Sequence, residues 1–272
     1  MIKKLLVSAV ALCLGSMMTT AVHAKVIEIN RKVVTDAGGF PYEIRKPGSY
    51  RLTSNLFVKG NSSAIVTSKP AVTIDLNGFR ILGQNSCTFE DGPPRSISCS
   101  GPNTSAAISG AHRISNGLIS GFGNGIIARN GQALVVEGVT VKNHSTNGIN
   151  PSGQDLILRN SVVSENGRDG VVGQFSTGTY VVTHNVIEKN GRDGAYLQAG
   201  VASDNTIYRN IACGIRSNVG RGAMVVNNYF GENGTGLTGS MSYRSNVFNG
   251  NDTHVSGGVN LGQNVCGNAL CP

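Results

Sequence analysis

The sequence predicts an all-β protein with a single domain, in which short parallel strands stack into a solenoid. Three observations support this prediction. A Gly–apolar pair returns every 20 to 24 residues, asparagines return in two columns with a similar period, and the composition of 37 glycines, no tryptophan and 14% charged residues does not suit a helical bundle. Such a period is typical of a solenoid, because one repeat is too small to bury its own apolar face and must stack on the next.

The Gly–apolar pair marks the start of each repeat. Its copies are NGII at Asn124, NGIN at Asn147, DGVV at Asp169, DGAY at Asp193, CGIR at Cys213 and TGLT at Thr235. One asparagine column comprises Asn160, Asn185, Asn205, Asn228, Asn246 and Asn264, and the other comprises Asn143, Asn166, Asn190, Asn210, Asn233 and Asn251. Features that repeat together indicate one structural unit that is copied along the chain.

Each repeat is predicted to hold three short strands. Its apolar residues come in runs of three to five bounded by Gly, Asn or Asp, without the i, i+4 stripe of a helix. A residue that recurs once per rung lies about 4.8 Å above its copy, so stacked amides can hydrogen-bond along a column, and asparagine tolerates left-handed turns. Ile187, Ile207, Phe230 and Phe248, two places after the first asparagine column, are expected to stack in the core.

Other solenoids do not fit the pattern. The L-x-x-L-x-L frame of leucine-rich repeats is missing, the uneven steps exclude the six-residue period of left-handed β-helices, and the calcium-binding G-G-x-G-x-D repeat is absent. A right-handed parallel β-helix remains. The rungs from Asn116 to Asn264, together with GSYRLTSNL at Gly48 and VTIDLNGFRILG at Val72, resemble right-handed parallel β-helix repeat proteins of the pectin-lyase-like superfamily.

This resemblance implies the fold but no single activity, because the superfamily holds lyases, hydrolases, epimerases and phage tailspikes. The sequence lacks the Asn-Thr-Asp, Asp-Asp, Gly-His-Gly and Arg-Ile-Lys series of polygalacturonases. It also lacks the Asp-Pro-His-Asp of mannuronan epimerases and the dense acidic calcium cluster of pectate lyases. No catalytic residue is therefore carried over from the family.

The N-terminus predicts export. Lys3 and Lys4 precede an apolar run from Leu5 to Leu14, and Val22-His23-Ala24 has a small-x-small cleavage pattern, so residues 1–24 are expected to be a cleavable signal peptide. No later apolar run reaches the roughly 20 residues that a membrane helix needs. The mature protein is expected to be secreted or periplasmic, without membrane insertion.

The remaining segments are predicted to close the ends of the coil. Residues 25–70 are expected to form an N-terminal cap and the first strands, 71–264 the rungs with an inserted loop at 84–105, and 265–272 a C-terminal hook. Disulfides are expected between Cys87 and Cys99 and between Cys266 and Cys271. Cys213 is expected to be a small buried hydrophobe, and the inserted loop either walls a groove or is a passive insertion.

The net charge favours an anionic partner. Without Lys3 and Lys4, 21 basic residues face 15 acidic ones, so the charge falls from +8 to +6. These charges are scattered at one or two per repeat, and an exported protein meets little nucleic acid. The expected partner is therefore a polysaccharide, acidic in character, and not nucleic acid.

The strand after each Gly–apolar pair should alternate in and out, which turns outward the residues two and four places after the glycine. The first outward column comprises Ile127, Asn150, Val172, Tyr196, Arg216 and Thr238, and the second comprises Arg129, Ser152, Gln174, Gln198, Asn218 and Ser240. The candidate substrate-binding residues are Arg129, Asn150, Gln174, Tyr196, Gln198, Arg216 and Asn218. Here an aromatic ring would stack on a pyranose, an arginine would pair with a uronate and amides would bond hydroxyls. The alternative is a solvated polar sheet face without a ligand.

The twin turns SENGRDG and EKNGRDG place Arg168 below Arg192 and Asp169 below Asp193, beside that face. A functional interpretation makes these four residues catalytic: the carboxylates, about 5 Å apart, hold calcium or act as acid and base, and an arginine acts on a sugar α-proton as in lyases of the superfamily. The alternative is a favourable turn, repeated because Arg and Asp offset each other's charge. No cofactor other than calcium is indicated.

Two histidines, His144 and His184, are expected on the surface, because neither accompanies a nucleophile motif. The observations together predict an exported β-helix protein that binds an acidic polysaccharide or cell-surface glycan. The alternative is a polysaccharide lyase or glycoside hydrolase that acts on a uronate-containing polymer. The missing catalytic motifs favour binding.

Overall fold

The computed structural model describes residues 25–129, 131, 133–173, 178–218 and 222–272. The predicted signal peptide and Gln174 lie outside the described residues. Within them, parallel strands form a β-solenoid with one short helix. No helix in these ranges is long and apolar enough to cross a membrane.

The first part of the chain leads into the coil. Its elements are β1 (Ile27–Ile29), α1 (Arg31–Asp36), β2 (Tyr42–Ile44), β3 (Gly48–Leu52), β4 (Leu56–Phe57), β5 (Ile65–Thr67), β6 (Val72–Asp75) and β7 (Arg80–Leu82). A hairpin of β8 (Ser86–Glu90) and β9 (Ser96–Ser100) follows.

The remaining strands build the later rungs. They are β10 (Ala106–Ser109), β11 (Arg113–Ser120), β12 (Asn124–Ile127), β13 (Leu134–Lys142), β14 (Ile149–Asn150), β15 (Leu156–Arg159), β16 (Val162–Ser164), β17 (Val171–Val172), β18 (Tyr180–Thr183), β19 (Val186–Glu188), β20 (Ala195–Tyr196) and β21 (Gly200–Ser203). The coil ends with β22 (Thr206–Tyr208), β23 (Cys213–Ser217), β24 (Ala223–Val226), β25 (Tyr229–Gly231), β26 (Thr235–Gly239), β27 (Met241–Arg244), β28 (Val247–Asn249), β29 (Thr253–Ser256), β30 (Val259–Asn260), β31 (Val265–Cys266) and β32 (Ala269–Leu270).

Every rung contributes one strand to each of three parallel sheets. Sheet I stacks ten strands in the order β2, β5, β10, β12, β14, β17, β20, β23, β26 and β29. Sheet II stacks β1, β3, β6, the first halves of β11 and β13, β15, β18, β21, β24, β27 and β30. Sheet III stacks β4, β7, the second halves of β11 and β13, β16, β19, β22, β25, β28 and β31. The chain runs from sheet I to II to III and then enters sheet I of the next rung.

Alternation along each strand puts every second side chain into the space between the sheets. The predicted inward ladder is confirmed, since Ile187, Ile207, Phe230 and Phe248 are fully buried and pair in that order. The rings of Phe230 and Phe248 are stacked, with centroids 4.9 Å apart. Burying such a side chain stabilises the fold by roughly 1.5–3 kcal/mol, so the core is a series of small contributions added rung by rung.

Two asparagine ladders lie at the corners. At the corner from sheet II to III, the side-chain amides of Asn185, Asn205, Asn228, Asn246 and Asn264 bond in sequence at 2.8–3.1 Å. At the corner from sheet III to I, Asn166, Asn190, Asn210, Asn233 and Asn251 do the same at 2.9 Å. Most of these amides also bond backbone carbonyls. At the corner from sheet III to I, Oδ1 of Asn143 and Nε2 of His144 are buried without a hydrogen-bond partner among the described residues.

The first member predicted for each ladder is wrong by one residue. Ser161, not Asn160, precedes Asn185 in the first ladder, and His144, not Asn143, precedes Asn166 in the second. Asn160 and Asn143 occupy the preceding turn position, with φ of 52° and 57°. Asparagine is favoured both in the ladder and at a left-handed turn, and so the residue type alone does not distinguish the two neighbouring positions.

Both ends of the chain are tied to the coil. β1 pairs with β3, and Val34 of α1 is buried in the core, so the first strands lie within the segment 25–70 and stack directly on the rungs. At the other end β32 folds back antiparallel on β31. The two predicted disulfides, Cys87–Cys99 and Cys266–Cys271, are present, and Cys213 is free and buried.

The inserted segment forms the β8–β9 hairpin, which lies along the corner from sheet III to I. Sγ of Cys87 is 3.5 Å from the carbonyl oxygen of His144, and Arg95 donates to the carbonyl oxygen of Glu232 at 2.6 Å. A Cβ on Gly167 would lie 2.9 Å from Sγ of Cys99. The hairpin therefore spans several rungs. Gly167 has no room for a side chain, because the carbonyl oxygen of Ser145 in the preceding rung, 2.5 Å from a Cβ there, and the hairpin both lie against it.

Candidate functional site

The outward face of sheet I carries the predicted residues in the predicted register. Strand pairing aligns the first outward column as Ile127, Asn150, Val172, Tyr196, Arg216 and Thr238. Exposure differs along this column, because Val172 and Tyr196 keep only 5% and 6% of their surface accessible. Tyr196 therefore has little exposed surface on which a pyranose could stack.

Two aspartates and two arginines form an alternating ladder at the edge of this face. Asp169 accepts hydrogen bonds from Nε (2.7 Å) and Nη2 of Arg192. Asp193 accepts them from Nε (2.8 Å) and Nη2 (3.2 Å) of Arg216. Nε of Arg192 also lies 3.9 Å from Asp193. Each arginine thus forms a bidentate pair of hydrogen bonds to the carboxylate of the preceding rung, a geometry that the planar guanidinium favours.

The twin turns explain this arrangement locally. The backbone N–H of Arg192 donates to the carbonyl of Arg168 at 2.9 Å, and that of Asp193 donates to Oδ1 of Asp169 at 3.2 Å, so the two turns stack in register. The aspartate side chains are 0% and 1% exposed, whereas the side chains of Arg192 and Arg216 are each 39% exposed. A buried carboxylate needs a partner, and here the arginines supply it from the solvent side.

Burial raises the pKa of the Asp193 carboxyl, and the hydrogen bonds and charge of Arg216 oppose that shift. Hydrogen bonds from Arg192 to Asp169 raise the pKa of the Arg192 guanidinium, and those from Arg216 to Asp193 do the same for Arg216. Both arginines consequently keep their charge, and the ladder is a pair of coupled ion pairs with its positive groups on the outside.

The four predicted catalytic residues do not form one constellation. Arg168 stacks below Arg192 through its backbone, but its side chain is exposed and lies outside the ladder. Asp169 and Asp193 each give both oxygens to an arginine. In this arrangement both carboxylates are buried beneath the guanidinium groups. The described part of the chain also contains no group of three or more His, Cys, Asp or Glu side chains that could hold a metal ion.

A small pocket of about 150 Å³ opens over the ladder and is lined by Arg192, Asp193, Tyr196, Arg216 and Asn218. All five are among the residues predicted from the sequence. Arg192 and Arg216 use Nε and Nη2 on their aspartates, so the N–H groups of each Nη1 are left for a ligand. A pocket of this size matches one anionic group better than a whole sugar chain.

The other predicted binding residues lie apart from this pocket. Arg129 lines a separate cavity near the N-terminal end of the face. Oδ1 of Asn150 accepts the N–H of Ser152 at 2.8 Å and so shapes the loop after its strand. Gln198 is half-buried in the loop after β20.

That separate cavity, about 490 Å³ in volume, was not predicted from the sequence. It lies over β2, β5, β10 and β12, with Glu43 and Arg129 at opposite ends of the four strands. The Gly–apolar pair begins only at Asn124, so the pattern did not reach the first three of these strands. The available signal was the Ser/Thr-rich sequence around residues 62–68 and 104–109.

The prediction of a surface position is wrong for His144 and confirmed for His184. His144 is completely buried, because it takes the first place of an asparagine ladder beneath the hairpin. Nδ1 accepts the backbone N–H of Phe122 at 3.2 Å. Burial lowers the pKa of His144 to about 3, so the imidazole is neutral in the folded protein.

The fold and this face place the chain among right-handed β-helix proteins. The family described as "Right handed beta helix region" matches residues 48–202, which is more than half of the chain. The protein therefore belongs to the right-handed β-helix family.

Comparison with individual proteins adds no closer likeness. No curated protein matches the chain. Among solved structures, the chain is similar to the A-module of the mannuronan C-5 epimerase AlgE6 of Azotobacter vinelandii, with 13% sequence identity and a TM-score of 0.48. The alignment covers 85% of this chain and 83% of that chain, and the likeness concerns the fold alone.

Proposed function

We propose that this protein binds an acidic polysaccharide on the outward face of sheet I, with a sugar carboxylate held by Arg192 and Arg216. The ladder carries this proposal. Two buried carboxylates hold two guanidinium groups at one pocket, and Nη1 of each group is left for a ligand. The positive ends of both ion pairs face solvent, whereas the negative ends are buried.

Preorganisation makes such a site effective. A free arginine loses rotamer entropy when it binds a ligand, of the order of 0.5–1.5 kcal/mol for each side chain that becomes fixed. Here the aspartates have already fixed both arginines in the unliganded protein. Tyr196 and Asn218 complete the lining of the pocket, and the Asn218 amide can bond sugar hydroxyls.

The same contacts favour binding over catalysis. A glycosidase needs carboxyl groups that reach the sugar, and a lyase needs an unprotonated base there. The aspartates raise the pKa of both arginines, which keeps them protonated. Both ladder carboxylates are instead buried under arginines. The sequence also lacks the catalytic motifs of polygalacturonases, mannuronan epimerases and pectate lyases.

The test is calorimetric titration with oligogalacturonate and with its reduced, uncharged counterpart. We expect the folded protein to bind the acidic probe with an affinity that falls as salt rises. Arg216→Met should weaken this binding at least about tenfold, which corresponds to 1.4 kcal/mol. Asn218→Ala should weaken it without breaking an ion pair. Arg244→Met is the matched control, because Arg244 is exposed on sheet II.

Two outcomes would overturn the proposal. Equal affinity of the Arg216→Met and Arg244→Met variants would remove the ladder from the binding site. Release of new reducing ends or unsaturated products from a panel of acidic polysaccharides, with calcium or with chelator, would make the protein an enzyme.

A further inference from the structure

The 490 Å³ cavity near the start of sheet I has the chemistry of a second site. Six of its lining residues are serine or threonine, contributed by the neighbouring rungs of β5 and β10. Val66 and Ile127, outward residues of β5 and β12, form its floor. An apolar floor with hydroxyl walls matches a sugar ring, which presents C–H groups on its faces and hydroxyls at its edge. The volume falls in the range of small-molecule sites.

The hydrogen bonds on one wall leave acceptors for a ligand. Oδ1 of Asn61 accepts the backbone N–H of Thr104 at 2.9 Å and is also 3.1 Å from Oγ1 of Thr104 and 3.0 Å from Oγ of Ser105. Each hydroxyl oxygen has lone pairs whichever way its hydrogen points. These two hydroxyls can therefore accept hydrogen bonds from a ligand.

The opposite wall offers donors. Oγ of Ser109 accepts the Nε–H of Arg129 at 2.6 Å, which leaves the Ser109 hydroxyl hydrogen and both Nη groups of Arg129 for a ligand. Glu43 lines the same cavity, where its carboxylate pairs with Arg45 at 3.0 Å and would repel an anion. In the strand register Glu43 aligns with Val66, Ser109 and Ile127, so a carboxylate and a guanidinium lie at the two ends of the cavity with hydroxyls between them. Charges of both signs and hydroxyls together suit a group that both donates and accepts, which a neutral sugar hydroxyl does and a carboxylate does not.

We propose that this cavity is a second binding site, which takes a neutral sugar unit of a glycan that lies along sheet I. The proposal deepens the proposed function, because it gives the polysaccharide a neutral unit as well as an acidic one. Four strand steps separate the rung of Ile127 from that of Arg216. At about 4.8 Å per step the two sites are about 19 Å apart along the coil, so one extended oligosaccharide can occupy both.

The experiment measures the binding of neutral disaccharides of glucose, galactose and mannose by ligand-observed NMR, in parallel with the oligogalacturonate titration. Ile127→Trp should fill the cavity and weaken neutral binding at least tenfold, with the acidic probe unaffected. The matched control is Ile157→Trp, since Ile157 is exposed on sheet II. Ser109→Ala and Arg129→Ala remove donors without filling space and should each weaken neutral binding. Circular dichroism checks that every variant is folded.

The outcomes separate this proposal from the proposed function. Binding of no neutral disaccharide, or equal binding by the two tryptophan variants, would overturn the second site whatever the acidic probe does. Arg216→Met should leave neutral binding unchanged. If the protein does not bind oligogalacturonate while Ile127→Trp still abolishes binding of the neutral disaccharide, the second site is supported and the proposal of an acidic ligand is wrong.

Discussion

Two ladders run side by side along the corner that leads into sheet I, and they differ in charge and exposure. The ladder from Asn166 to Asn251 is neutral and buried, and each amide repeats the same bonds in every rung. A few residues further along the same turns, Asp169, Arg192, Asp193 and Arg216 alternate in sign, and the two arginines reach the solvent.

A position that repeats in every rung of a solenoid can serve either the fold or a ligand. In a stack of identical amides each side chain bonds the next one and the backbone, so no group is left for a ligand and the stack stabilises the fold. A stack of alternating charges also satisfies its buried members, but its arginines keep N–H groups on the outer side. The first ladder extends over many rungs, whereas the second is confined to the rungs where the pocket lies.

The largest effect is expected from breaking the neutral ladder. Nδ2 of Asn190 donates to the carbonyl of Val163 at 3.2 Å and to Asn210 at 2.9 Å, and Oδ1 accepts from Asn166. Asn190→Leu would leave several buried polar groups unsatisfied at about 1–3 kcal/mol each. We expect a loss of about 3–5 kcal/mol in the free energy of unfolding, measured with urea. Asn249→Leu, at an exposed strand position, should change it by less than about 0.5 kcal/mol.

The second effect concerns His144, which replaces an amide in the neutral ladder. Its pKa is lowered from 6.5 to about 3 by burial, so between these values the unfolded chain binds a proton that the folded protein does not. This contribution to stability is fully present above pH 6.5 and is lost as the pH falls towards 3, at roughly 1.4 kcal/mol per pH unit. His144→Asn restores the ladder residue. The free energy of unfolding of this variant, measured with urea between pH 3 and 6.5, should change less steeply with pH, by about one proton. An unchanged slope would show that His144 does not have the lowered pKa.

Much of the fold follows from the sequence because a solenoid repeats its local rules. The inward ladder from Ile187 to Phe248 and the register of the outward column were predicted from spacing alone. The errors lie where one residue type has two uses. Asn143 and Asn160 belong to left-handed turns, and the ladder positions after them hold His144 and Ser161, whose types gave no signal.

The site was predictable in part. The five residues of the small pocket were named because they share a column or a twin turn. Spacing did not reveal that the arginines pair with buried carboxylates across rungs, because side-chain direction is set by the contacts of the folded state. The larger cavity was missed for another reason: its strands precede the regular repeats, and its hydroxyls carry no periodic signal.

The smallest effect on stability, and the sharpest test of the comparison, is expected from Asp193→Ala. Arg216 loses its partner, but its side chain is 39% exposed and water can solvate the charge, so the cost should be about 1–2 kcal/mol. In a double-mutant cycle with Arg216→Ala, the coupling energy should be of similar size.

Removing Asp193 also makes the pocket more positive. If charge alone governed binding, oligogalacturonate would bind the Asp193→Ala variant more tightly. If the carboxylate fixes Arg216 for the ligand, affinity should instead fall severalfold, and calorimetry of this one variant decides between the two.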